Sequence, residues 1–167
     1  MPQTTFAKTP PVFFQRLREV TDAYFKERGL RTTGDSRLYV KSGVLCAALA
    51  VLYTVLVFFT PASIFLSLFL CALMGVVVAS IGFNVMHDGA HGSYSRRKWV
   101  NEMMGHSLNF LGGNVYLWKL KHNVNHHTFT NVEGVDDDID IKPWIRVHEW
   151  QKKLWFHRFQ HIDGLFL

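Results

Sequence analysis

Residues 42–86, SGVLCAALAVLYTVLVFFTPASIFLSLFLCALMGVVVASIGFNVM, contain no Asp, Glu, Lys or Arg. Wound into one helix they would extend roughly 68 Å at about 1.5 Å per residue, twice the ~30 Å hydrocarbon core of a bilayer. Pro61, just after Phe58-Phe59-Thr60, interrupts a helix near the middle, because proline lacks an N–H and clashes with the preceding turn. The stretch therefore predicts two spans, near 42–60 and 63–84, joined by a tight uncharged turn. It is too long and too far from the first residue to be a secretory signal peptide. A soluble protein would have to bury such a hairpin, and a chain of 167 residues has too little else to bury it with.

Charge is distributed around this block. Residues 1–41 carry eight Lys/Arg and four Asp/Glu, and residues 87–167 carry ten and nine together with all nine histidines. The formal net charge of +5 and a pI near 9.4 would suit nucleic acid only as a basic stripe interleaved with aromatics. Here the basic residues instead flank the apolar block, with Arg28, Arg31, Arg37 and Lys41 before it and Arg96, Arg97 and Lys98 after it. No nucleic-acid partner is expected. The positive-inside rule places both flanks, the N-terminus and every histidine in the cytoplasm of a multi-pass membrane protein. With 49% hydrophobic and 14% aromatic residues the chain is neither disordered nor low in complexity. Two cysteines, Cys46 and Cys71, both inside the block, exclude a disulfide scaffold and a four-cysteine zinc module.

The expected fold is an all-α membrane protein, a transmembrane helical hairpin followed by cytoplasmic helices that carry histidine clusters. Residues 1–41 form a cytoplasmic N-terminal segment, 42–86 the hairpin, 87–163 the histidine region, and 164–167 the start of a third span. In the first segment Phe13, Leu17, Val20 and Tyr24 recur at helical spacing, with Gly29 as a stop. Such a helix either packs on its own domain or lies on the bilayer surface, where Arg16, Arg18, Lys26 and Arg28 would face headgroups. A second uncharged stretch, 103–118, spans only about 24 Å as a helix and is short for a crossing. Its Gly105, Gly112, Gly113, His106, Ser107, Asn109 and Asn114 also oppose a span, and a crossing would part the histidine clusters. An interfacial or buried segment is expected.

His87-Asp88-Gly89-Ala90-His91 puts two imidazoles at i,i+4, on one helical face and close enough to address one metal. It differs from a zinc-protease HExxH helix, whose Glu general base is here the shorter Asp88. His122 and His126 repeat the spacing, while His127, the next residue, is rotated about 100° on an α-helix. All-imidazole coordination suits iron, zinc, copper or nickel. A structural zinc site closes with four ligands, so more than four imidazoles point to a redox-active pair of irons.

HDGAHGSYS (87–95) after a span, then WKLKHNVNHHTFTN (118–131), resemble the first two histidine boxes of the membrane fatty acid desaturases. VEGVDDDID (132–140), HRFQHI (157–162) and PVFFQRLREVTDAYF (11–25) are similar to bacterial acyl-CoA desaturases of the linoleoyl-CoA, front-end type. The resemblance implies a non-haem di-iron centre, molecular oxygen as co-substrate, and insertion of a cis double bond into a fatty acyl chain. It implies His87, His91, His122, His126 and His127 as iron ligands, and an acyl-CoA or acyl-lipid substrate. Two departures stand out. No HxxHH or QxxHH third box is present, and the first 41 residues hold no histidine, so a fused cytochrome b5 domain is missing there. Electrons would come from a separate ferredoxin or cytochrome b5. The apolar run Gly164-Leu165-Phe166-Leu167 has the look of a span just beginning, so a longer desaturase is expected, with these 167 residues inactive alone.

His157 and His161 form a further i,i+4 pair, expected to be structural or to support the ligands from behind, with Asp88 and Asp136 as other candidates for that support. The acidic run Glu133, Asp136, Asp137, Asp138 and Asp140 lacks the glycine and glutamate of a calcium loop and reads as a solvated face. His106 reads as a satisfied core histidine, and Tyr116 and Trp118 as tunnel lining or interfacial anchors. The competing functions are a related membrane hydroxylase or ketolase, and a non-catalytic metal-binding membrane protein. The latter would be expected to carry ionisable residues inside its spans, and residues 42–86 have no Asp, Glu, Lys, Arg or His.

Overall fold

The computed structural model describes residues 11–163, which are helical with no strand among them. The expectation for residues 164–167 lies outside the described residues. Helix α1 (Val12–Glu27) is followed by two long helices, α2 (Ser36–Phe58) and α3 (Ile64–Ile81). A π-helical turn, Gly82–Met86, continues α3 directly into α4 (His87–Ala90), making one rod over Ile64–Ala90. Then come α5 (Lys98–Gly105), α6 (Ser107–Phe110), α7 (Val115–Lys119) and a second π-helical segment, Leu120–His126. Short 3₁₀ turns at Asp137–Ile139 and Trp155–Phe159 precede α8 (Gln160–Asp163).

The hairpin ends have local causes. Asp35 caps α2 by accepting from the backbone N–H of Arg37 (2.9 Å) and Leu38 (3.4 Å), as short acidic side chains do at helix starts. Ser63 caps α3 through the Leu66 N–H, and Pro61 sits in the turn between them, where its missing N–H leaves no gap in a helix. Helix α2 starts at Ser36, ahead of the uncharged window, because Arg37 and Lys41 are good helix formers whose charges stop only the hydrophobic count. Lys41 then donates to Asn84 Oδ1 across the hairpin at 2.7 Å, tying α2 to the π turn just before the first histidine.

Leu52, Val77, Ile81, Val85 and Tyr94 form the buried core, flanked by Leu45, Leu49, Met74 and Met104. The outward faces of α2 and α3 stay apolar and exposed, as at Val44, Val51, Phe65, Phe69 and Val76. A helix apolar all round needs an apolar surrounding, and two helices of this length and composition suit a bilayer. This is a membrane protein.

Helix α1 closes with a Schellman motif: Leu30 N–H bonds Phe25 C=O (3.0 Å), Gly29 N–H bonds Lys26 C=O (3.2 Å), and Gly29 takes φ +60°. Its stripe of Phe13, Leu17, Val20 and Tyr24 is exposed, and no residue of α1 is buried among the described residues.

Candidate metal centre

The two histidine clusters meet. His87 and His91 project from α4 and its C-cap, with ring centroids 4.4 Å apart. Across from them the second π segment presents His122, whose ring lies 5.4 Å from His87 and 5.3 Å from His91. His126 stacks on His122 at 5.1 Å, and His127 lies 4.9 Å from His91 and 5.0 Å from His122. One donor atom each from His87, His91 and His122 falls within 4.8 Å of the others. Metal–nitrogen bonds are about 2.1 Å long, so side-chain shifts of about an ångström would close that set on one ion. The donor set therefore fits a metal.

The π-helical winding gathers the second cluster. On an α-helix His127 would point away from His122, but here the His127 N–H bonds the His122 C=O, an i→i+5 link that stacks the two residues. The wider turn brings three imidazoles of one segment to one side. A matching turn precedes the first cluster, where the His87 N–H bonds Gly82 C=O. Asn123 straps the two clusters together, donating to Ala90 C=O at 3.0 Å beside His91.

Two carboxylates hold the second cluster from behind. Asp138 Oδ2 lies 2.6 Å from His122 Nδ1, and both Asp136 oxygens lie 2.9 Å from His126 Nδ1. A carboxylate only accepts, so each Nδ1 carries the proton and each Nε2 keeps its lone pair for a metal. His122, His126 and Asp138 also fall within 4.8 Å of one another. That closeness is the hydrogen bond itself, so we read Asp138 as orienting His122, with Lys121 on its other oxygen at 3.3 Å. Asp136, only 1% exposed, also accepts from the backbone N–H groups of Asn131 (2.8 Å) and Asp138 (3.0 Å).

The electrostatics follow. Partial burial, then the neighbouring His87, His127 and His122, lowers the His91 pKa to about 4. His127 is lowered by the same causes, burial first and then His122 and His126. Burial alone would raise Asp136 and Asp138. The Asn131 N–H and His126 outweigh it at Asp136, and His122 and Lys121 at Asp138, so both carboxyls lie below the usual range. These shifts favour the neutral imidazole at His91 and His127 and the ionised carboxylate at Asp136 and Asp138, the forms that metal ligation and its support require.

Of the other sequence candidates, Asp88 sits 3.5 Å from His87 Nδ1 while its backbone carbonyl receives Ser93 and Tyr94 N–H. His157 is buried elsewhere, its Nε2 on Pro143 C=O (2.7 Å) and its Nδ1 accepting from Leu154 N–H (3.1 Å), so both ring nitrogens are committed. His161 is exposed on α8, and neither histidine belongs to a donor group among the described residues. Sequence reasoning missed Asp138, which it placed on a solvated face, and it read Trp118 as tunnel lining or an interfacial anchor without its contact to the histidines. The indole stacks on His122 at 4.5 Å and lies 5.7 Å from His87. Both residues border a cleft of about 580 Å³ that runs from Gly82, Phe83 and Met86 on the α3 rod to His87 and His122.

The model of the fatty acid desaturase family matches residues 63–167, which include both histidine clusters. The chain belongs to that family. It is 34% identical over 159 residues to the sn-1 linoleoyl-lipid 6-desaturase of Arthrospira platensis, covering 95% of this chain and 43% of that protein. It is 34% identical over 152 residues to the acyl-lipid (8-3)-desaturase of Physcomitrium patens, covering 90% and 32%. With the sn-1 linoleoyl-lipid 6-desaturase of Synechocystis identity is 32% over 157 residues, covering 93% and 44%. The chain thus spans less than half the length of these relatives. No solved structure matches it.

Proposed function

We propose that the chain supplies ligands of a non-haem di-iron centre in an oxygen-dependent desaturase of fatty acyl chains. The observation that carries this is the convergence of His87, His91, His122, His126 and His127, two of which, His87 and His122, line an apolar cleft beside the α3 rod. Five imidazoles exceed the four that close a zinc site. Bound there, two irons with molecular oxygen supply the power to break an unactivated C–H bond, which side-chain acids and bases lack.

The protein's own residues do the positioning. Asp138 and Asp136 hold His122 and His126 in the tautomer that offers Nε2 inward. Phe83, Met86 and Trp118 give an acyl chain an apolar wall beside His87 and His122 and keep water from the reacting carbons. Removal of two hydrogens from the chain, with oxygen, two electrons and two protons taken up from solvent, would yield a cis double bond and two waters. The electrons come from an external ferredoxin or cytochrome b5, and the centre faces the cytoplasm, the side the flanking arginines and lysines favour. The relatives bear the names of acyl-lipid desaturases, which favours an acyl chain on a membrane lipid over acyl-CoA. The 167 residues carry two histidine boxes and no HxxHH or QxxHH motif, so alone they bind metal without turnover.

The test is lipid analysis of cells expressing the complete open reading frame that contains these residues, beside the same gene with His122→Ala. A new acyl species lighter by two hydrogens, lost in the variant, is expected. A species heavier by one oxygen would make the protein a hydroxylase. No change in either strain would overturn the catalytic assignment.

A further inference from the structure

Residues 103–118 are uncharged and are bracketed by a closed ion pair, Lys119 Nζ to Glu102 Oε2 at 3.1 Å. The chain therefore leaves from one point and returns to it. The intervening residues run down through α5 and α6, turn at Gly112 (φ +89°) and Gly113, and return through α7. A Cβ at Gly113 would lie 2.7 Å from Leu108, so the two limbs touch where the glycine sits.

The depth of the turn can be read from the hairpin beside it. Lys41 and Asn84, joined at 2.7 Å, mark the polar end of α2 and α3. Phe110 and Leu111 border a groove of about 470 Å³ with Leu49, Tyr53, Met74 and Val78. Leu49 lies about 12 Å below Lys41 along α2, and Val78 about 9 Å below Asn84, at about 1.5 Å per residue. Leu111 packs on the core there, while Phe110, 91% exposed, faces outward at the same level.

Backbone at such depth survives only if its polar groups find partners within the protein. Here they do so locally. Asn109 Oδ1 accepts from Val115 N–H across the turn (3.0 Å), and Asn114 Oδ1 accepts from Leu117 N–H (3.1 Å). Ser107 Oγ donates to Met104 C=O (2.6 Å), and His106 Nδ1 to Glu102 C=O (2.7 Å). Gly113 N–H bonds Leu108 C=O (2.9 Å), and Gly112 N–H bonds Asn109 C=O (3.3 Å). The polar residues that oppose a membrane crossing are those that satisfy a loop within it.

We propose that residues 103–118 form a re-entrant loop whose Phe110–Gly113 tip lies in the bilayer hydrocarbon, with lipid acyl chains against Phe110 and the neighbouring groove. The loop rests on α2 and α3 spanning the membrane and is independent of the metal chemistry. It explains how an apolar stretch of this length separates two histidine clusters that still meet on one side.

The experiment places a nitroxide at Phe110→Cys in a Cys46→Ala, Cys71→Ala background of the chain in lipid nanodiscs. Labels at Tyr53→Cys and Arg97→Cys serve as the membrane and surface references. Position 110 is expected to follow position 53, with strong collisional broadening by oxygen and loss of broadening by a water-soluble nickel chelate. Nickel accessibility equal to that of position 97 would overturn the proposal. So would an immobilised label shielded from both reagents, which would mean that protein covers the tip. Should the variant fail to fold, a diazirine-bearing phospholipid photolysed with the unsubstituted chain gives the same decision. Adducts on the peptide containing Phe110 support the loop, and adducts confined to α2 and α3 refute it.

Discussion

Asp138 Oδ2 and His122 Nδ1 lie 2.6 Å apart, joining a 3₁₀ turn to a π-helical segment across sixteen positions of chain. This pair fixes which nitrogen of His122, the ring nearest the centre of the cluster, faces a metal. Asp138→Asn keeps the shape but removes the charge and one acceptor, so the imidazole loses basicity and orientation. Loss of such a partner lowers metal affinity by about 10- to 100-fold. Competitive titration of the chain with Fe(II) or Co(II) should show a drop in that range with helix content unchanged. An unchanged affinity would mean that Asp138 serves only to fix its own loop.

Acid should weaken the metal-free chain in two stages. An unfolded histidine takes up its proton near pH 6.5, whereas folded His91 resists until about pH 4. Between these values the unfolded state binds more protons, so stability falls as pH falls through that window. Asp136 and Asp138 have lowered pKa values, so the stability they contribute is present above the ordinary carboxylate range and is lost on further acidification. Thermal unfolding in detergent from pH 7 to 3 should show both stages. His91→Gln should flatten the first and leave the second.

Gly89 has no room for a side chain. A Cβ there would come 2.6 Å from Gly105 N, 2.7 Å from Met104 Cβ and 2.9 Å from Asn101 O, pushing the first histidine cluster off α5. Overpacking of this kind costs about 1–3 kcal/mol. Gly89→Ala should lower the unfolding midpoint and impair metal binding. Gly75→Ala on α3, with nothing within 4 Å of the new Cβ, should be neutral or slightly stabilising.

Asn101 closes the loop after the first cluster. It is buried, accepts from Ser95 N–H at 2.7 Å and donates to Ser95 C=O (2.8 Å) and Gly92 C=O (3.0 Å). Asn101→Ala leaves three backbone groups without this partner, at about 1 kcal/mol for each bond lost. Hydrogen exchange should quicken across residues 92–97, while α2 and α3 keep their protection. Uniformly faster exchange would show that Asn101 supports the whole fold.

What could be known from the sequence rested on short-range rules. A charge-free run of 42–86 broken by Pro61 reports two membrane helices, because bilayer thickness and helix rise are constants of the surroundings. The i,i+4 spacing of His87 with His91 and of His122 with His126 reports shared faces, because helix geometry is local. The box motifs were enough to indicate the family. The tertiary structure alone decided how the clusters join. The π winding of Leu120–His126 brings His127 over His122, and an i→i+5 register depends on what packs around it rather than on residue preference. Asp136 stood among the candidates for supporting the ligands without a named partner, and Asp138 read as part of a solvated acidic run, since nothing local tells a carboxylate that it will meet an imidazole ten or sixteen residues away. Trp118 came to rest 5.7 Å from His87, and Asn123 reached the Ala90 carbonyl thirty-three positions away. Those contacts exist only once the chain has turned, and chain turning is a long-range event that spacing along the sequence does not encode.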